Sequence, residues 1–229
     1  MRTFLRRLIP ATLASIGLLG LGACDEPTGS APVEEVAWQD AQSDAASDWT
    51  SNEIDTDTRD YLSLAESEEA ARLGLLPEKT RSVLKIDRTM RHGQFEWQDS
   101  DIPEGRVEVR VDLKRQLVSA FRGGHEIGTA VILYGADGNE TPTGRFPIKR
   151  KSEDYRSRTY NNAPMPYSLW LTDDGVALHG SKVEWGRATH GCVGVPVGFA
   201  EKLFEVADSG DVVQIVDDAG DAPVPDGQV

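Results

Sequence analysis

Residues 106–134 read RVEVRVDLKRQLVSAFRGGHEIGTAVILY, and this stretch decides the fold class. Val107, Val109 and Val111 alternate with Glu108 and Arg110, the period of two expected of a strand with one face in a core. Leu117 to Phe121 forms a second such run, Gly123-Gly124 a tight hairpin turn, and Glu126 to Tyr134 a third run. The stretch is therefore expected to be an antiparallel meander, and the class mainly β.

Downstream, Gly135 to Gly144 is rich in turn formers and leads to a strand around Phe146 to Lys149. Arg150 to Ala163 is polar without periodicity and reads as a lid over a site. A strand from Met165 through Leu171, a turn at Asp173-Asp174-Gly175 and a strand from Val176 to His179 follow. Phe199, Ala200, Leu203, Phe204 and Ala207 share one face of a helix over 199–207; Gly210 ends it, and Val212 to Val216 closes the domain. Upstream, Tyr61 to Leu73 reads as a short helix stopped by Gly74, Ser82 to Ile86 as a strand, and Met90 to Gln98, with His92, as a looser one. Residues 61–105 are expected to cap the domain, and His92 to be a surface histidine.

The ends differ in composition. Met1 to Cys24 reads as an export signal, with Arg2, Arg6 and Arg7 before a short apolar run from Leu13 to Leu21. Residues 25–60 hold eleven acidic residues and Arg59 as the lone cation, with no sustained periodicity. Such a segment buries too little apolar surface to offset its ordering entropy and is expected to be a disordered acidic tether; residues 217–229 are expected to be an acidic disordered tail. The net charge of −14 belongs to these ends, because residues 101–207 carry fourteen charges of each sign. With no basic stripe to neutralise phosphates, a nucleic-acid partner is disfavoured.

Chemistry concentrates in Leu178-His179-Gly180 and Thr189-His190-Gly191-Cys192-Val193. A thiol is a useful nucleophile as thiolate, and a neighbouring imidazole can take its proton; His179 and His190 are both candidates. Glycines beside the thiol let backbone N–H groups approach a substrate carbonyl, as an oxyanion hole requires. The alternatives are a buried cysteine acting as a small hydrophobe, and a zinc site made by the two histidines and the thiol. His190 and Cys192 are two apart, with no CxxC or HxxxH spacing, which disfavours metal. No cofactor is expected.

Val111-Asp112-Leu113, Thr141-Pro142-Thr143-Gly144, Met165-Pro166-Tyr167 and the two blocks above together resemble, in order, the L,D-transpeptidase (YkuD) catalytic domain, over residues 106–216. The resemblance implies a β-sandwich or mixed-sheet domain with one or two short helices, and a cysteine acyltransferase acting on peptidoglycan stem peptides. It implies Cys192 as nucleophile, His179 as general base oriented by the Gly180 carbonyl, His190 in support, and the amides of Gly191 and Cys192 as oxyanion donors. Tyr167, Thr189 and Arg187 are implied or nearby substrate-binding candidates. Gly194 stands where the family usually has Arg or Asn, and Arg187 is the nearby guanidinium. The segment from His179 to Thr189 is also shorter than usual. Leu21-Gly22-Ala23-Cys24 resembles a lipoprotein lipobox, which would make Cys24 a lipidated membrane anchor and place the enzyme in the cell envelope or periplasm. An ordinary cleaved signal, or a disulfide from Cys24 to Cys192, is the alternative.

Overall fold

A computed structural model describes residues 57–136 and 138–217. The expected signal with Cys24, the expected tether up to residue 56 and the tail beyond Asp217 lie outside the described residues. The strands are β1 (Arg59–Tyr61), β2 (Ser82–Leu84), β3 (Phe95–Trp97), β4 (Val107–Asp112), β5 (Leu117–Arg122), β6 (His125–Val131), β7 (Gly144–Pro147), β8 (Arg150–Arg156), β9 (Pro164–Trp170), β10 (Ala177–Ser181), β11 (Val193–Pro196) and β12 (Val212–Val216). Two helices, α1 (Leu64–Arg72) and α2 (Val197–Val206), accompany them.

The meander forms as its alternation predicts, with β4, β5 and β6 antiparallel. It is the centre of an eight-stranded sheet in the order β1-β2-β6-β5-β4-β12-β7, with β3 also paired to β6. A four-stranded sheet, β11-β10-β9-β8, faces it. Val109, Val111, Val118 and Ile127 from the first sheet meet Leu169, Leu178, Val193 and Val195 from the second, and Phe199 and Leu203 of α2 complete one core. Burying those side chains supplies the main driving force for the fold.

Three expectations change. Residues 61–105, expected as a cap, pack as part of the large sheet: the strands expected over 82–86 and 90–98 form as β2 and β3, both paired with β6, and β1 pairs with β2. The end of the expected tether is also ordered, because the Arg59 guanidinium is buried and donates to the carbonyls of Glu126 and Gln98. Charged groups are buried only when so satisfied. Third, residues 150–156 are not an aperiodic lid but strand β8, paired with β9 from Arg150↔Trp170 to Arg156↔Pro164. An edge strand with most side chains in water needs no apolar alternation, so its sequence hid it.

Helix α1 starts at a capping box: Ser63 Oγ accepts from Glu66 N–H, and the Glu66 carboxylate accepts from Ser63 N–H. Helix α2 ends on a different device. Its Phe204 and Ala207 carbonyls accept from Lys151 Nζ, which reaches across from β8. A cation at a helix C-terminus satisfies orphan carbonyls and complements the helix dipole. The hairpin and the helix are thereby clamped together beside the second sheet.

Candidate active site

Strands β10 and β11 run parallel, with Leu178 opposite Val193 and His179 opposite Gly194. Side chains alternate across a strand, so Leu178 and Val193 enter the core while Ala177, His179 and the position of Cys192 share the other face. That face carries a second apolar cluster of Met165, Trp170 and Ala177, against which Tyr155 and Cys192 pack. The sheet therefore places the thiol and the imidazole as near neighbours on one rigid surface.

His179 is buried, and its Nδ1 lies 2.9 Å from the Gly180 carbonyl oxygen. A carbonyl only accepts, so Nδ1 carries the proton and Nε2 is left with its lone pair, the tautomer a base needs. Burial lowers the His179 pKa below its ordinary value, and the bond to Gly180 opposes that in part. Burial raises the Cys192 thiol, with the Ala177 backbone N–H, which favours thiolate, opposing it. The Sγ lies 3.7 Å from the Gly175 carbonyl oxygen, which can accept its proton. Both shifts favour the uncharged forms, a thiol and a neutral imidazole.

A pH profile checks this. In the free protein, alkylation of Cys192 by iodoacetamide is expected to rise about tenfold per pH unit through pH 7–9, because the small thiolate fraction controls the rate and its pKa is raised. A plateau below pH 8 would contradict the resting thiol.

The turn carrying the thiol is held from several sides. Thr189 N–H donates to the Tyr134 carbonyl at 3.0 Å, and Thr189 Oγ1 donates to the Cys192 carbonyl. Gly191 has φ +102°, a conformation that favours glycine. Neither Gly191 N–H nor Cys192 N–H donates to a loop or side-chain acceptor among the described residues. His190 is exposed and stacks on Tyr160 at 4.2 Å between ring centroids, so the tip of the β8–β9 hairpin closes over this turn.

Several sequence candidates stand elsewhere or do other work. Tyr167 does not face the thiol: its hydroxyl donates to Glu201 at 2.9 Å and its ring meets Phe204, both on α2. Its φ of +55° interrupts the alternation that a sequence reading assumes. Arg187 is exposed and paired with Glu184 rather than placed beside Gly194. The Thr189 hydroxyl donates to the Cys192 carbonyl and shapes the turn. Gly194 exchanges two backbone hydrogen bonds with Leu133, and a Cβ there would lie 3.1 Å from Ser181 Cβ and 3.4 Å from Thr189 Cγ2. A side chain at that position would need Ser181 to give by a few tenths of an ångström, with Thr189 in ordinary contact.

Trp170, Tyr160, Gly175 and Ala177 were missed as site residues. Trp170 and Ala177 fall on the thiol's face once the strand register is known; the Gly175 carbonyl and Tyr160 carry no local signal. Among the described residues no group of three His, Cys, Asp or Glu is arranged to hold a metal ion.

Residues 106–215 match the sequence profile of a family described as YkuD, L,D-transpeptidase catalytic domain. Similar solved structures include an L,D-transpeptidase (Yku) from Stackebrandtia nassauensis, at 26% identity and TM-score 0.45, covering 53% of this chain and 58% of that one. An L,D-transpeptidase from Mycobacterium tuberculosis shares 18% identity at TM-score 0.46, over 49% of this chain and 58% of that one. A mutant L,D-transpeptidase from Enterococcus faecium shares 23% at TM-score 0.44, over 49% and 50%. The chain thus spans less than two thirds of these relatives. No curated protein sequence matches it.

Proposed function

We propose that the protein transfers acyl groups between peptidoglycan stem peptides through a thioester on Cys192; the match of residues 106–215 to the YkuD L,D-transpeptidase catalytic domain supports this reading. The observation that carries this reading is the shared face of β10 and β11, with a neutral His179 whose Nε2 is free and a thiol one strand away.

In the first half-reaction Cys192 attacks the carbonyl of the L-centre of meso-diaminopimelate in a donor tetrapeptide. The thiol proton passes to His179 Nε2, a C–S bond forms, and the amides of Gly191 and Cys192 hold the oxyanion. The C–N bond to the terminal D-alanine then breaks, and its amine leaves with the proton from His179. In the second half-reaction an amine from another stem attacks the thioester, gives its proton to His179 and displaces the thiolate. Water in place of that amine gives tripeptide instead of a cross-link.

Incubation with tetrapeptide muropeptides and mass analysis of the products tests the reading. Cross-linked dimers are expected together with released D-alanine; tripeptide alone would make the protein an L,D-carboxypeptidase. Intact tetrapeptide, with no adduct formed by a carbapenem on folded protein, would leave a non-catalytic wall-binding protein.

The proposed location is the cell envelope, with the domain held to a membrane by lipid on Cys24. No helix among the described residues is long and apolar enough to cross a membrane. The lipobox-like Leu21-Gly22-Ala23-Cys24 supports a lipid anchor, since acyl chains contribute about 0.8 kcal/mol per buried CH₂ and two or more give stable attachment. Cys24→Ser is expected to release the protein from the membrane fraction; unchanged retention would refute the anchor.

A further inference from the structure

One row of side chains crosses the thiol's face of the small sheet. Arg150 pairs with Trp170, Trp170 with Ala177, and Ala177 lies beside Cys192, one residue before the Leu178↔Val193 pair. The Arg150 guanidinium sits over the indole, with Cζ 4.0 Å from the ring centroid of Trp170. Tyr155 braces the same indole edge-on at 4.8 Å. Stacking occupies the faces of a guanidinium and leaves its in-plane N–H groups pointing outward. Arg150 is exposed, and among the described residues no carboxylate pairs with it and no carbonyl accepts from it. Most other guanidiniums around this domain are engaged, as with Arg145 on Glu108 and Arg187 on Glu184. Beneath it, Trp170, only 5% exposed, has no acceptor for its Nε1–H among the described residues. Buried polar groups of that kind are rare and call for a reason.

We propose that Arg150, held on Trp170, is a carboxylate subsite that selects the donor stem peptide. This rests on the proposed transpeptidase reading. The row sets the reach: Trp170 and Cys192 lie two strands apart, about 10 Å between backbones, and their side chains pack in one cluster. The carboxylate ending the diaminopimelate side chain lies six bonds from the carbonyl under attack, roughly 7 Å when extended. The terminal D-alanine carboxylate, three bonds away at roughly 4 Å, is too close to the thiol to reach Arg150. The α-carboxylate of the second stem residue is the other group of comparable reach. A bidentate guanidinium–carboxylate pair suits either. Arg150 also supplies, from β8, a guanidinium on a face where Gly194 offers no side chain.

Three donor tetrapeptides separate the sources: one with diaminopimelate third, one with lysine third, which lacks the side-chain carboxylate, and one with the second-residue carboxylate amidated. D-alanine release is measured for the wild type, Arg150→Ala and Arg150→Lys, with iodoacetamide alkylation at pH 9 verifying an intact thiol turn in each. The wild type is expected to favour the intact diacid by about tenfold in kcat/KM, mostly through KM, as removal of one charged hydrogen-bonded contact gives. Whichever altered peptide shows that loss identifies the carboxylate. In Arg150→Ala the preference ratio should collapse to about one, and Arg150→Lys should keep only part of it. Equal turnover of all three peptides by the wild type, or a ratio unchanged in Arg150→Ala, overturns the subsite while leaving the transpeptidase reading intact. No D-alanine from any of them overturns both.

Discussion

Cys192→Ala is expected to leave a folded protein whose D-alanine release from tetrapeptides falls by about 10⁴-fold or more, with no thioester or carbapenem adduct detectable by mass. Cys192 is half-buried at the edge of the Met165–Trp170–Ala177 cluster, so removing one sulfur costs little packing. What disappears is the sulfur proposed to carry the acyl group. His179→Gln should lose roughly 10²- to 10⁴-fold, the usual worth of a positioned base, while its thiol still alkylates at high pH. His190→Ala should lose less than either, because His190 is exposed against Tyr160 rather than built into the sheet. Near-wild-type turnover by Cys192→Ala would remove the nucleophile assignment altogether.

Gly135→Ala is expected to cost about 3 kcal/mol, the upper end of what overpacking usually costs, and to lower the melting temperature by roughly 10 °C. A Cβ at Gly135 would stand 1.9 Å from the Asn139 carbonyl oxygen and 2.9 Å from Thr141 N, both backbone atoms with little room to yield. Gly135 N–H donates to Thr141 Oγ1 at 2.8 Å, and Gly135 bridges Thr189. Moving it therefore moves the residue whose hydroxyl holds the Cys192 carbonyl, so D-alanine release should fall along with stability. Thr141→Val should lose about 1–3 kcal/mol by leaving that buried N–H without its acceptor. Gly105→Ala, where a Cβ would meet nothing within 4 Å, is the matched control and should be close to neutral. Urea unfolding of the three variants checks all of this, and an unaffected Gly135→Ala would show that the loop carries no such constraint.

Particular residues show where a sequence reading succeeds. Val107, Val109 and Val111 announce β4 because one face of it enters the core, and Leu203 and Phe199 announce α2 for the same reason. Arg150 to Arg156 announce nothing, since an edge strand in water accepts almost any side chain. The strands expected over 82–86 and 90–98 form as β2 and β3, while their pairing with β6 depends on residues far apart in the chain. The motif around Tyr167 does not show its positive φ or the packing of its ring on α2.

The sequence by itself determined the β class, the meander, and the closing helix and strand, and it singled out Cys192 and His179 as the candidate pair, because each is written in local periodicity or in a short dense motif. Only the tertiary structure decided that His179 holds its proton on Nδ1, that Thr189 shapes the turn, that Gly194 is walled in by Ser181 and Thr189, and that Arg150 and Trp170 share the thiol's row. Those properties depend on strand register and on contacts between residues far apart in the chain, and a one-residue change of register would move every side chain concerned to the opposite face.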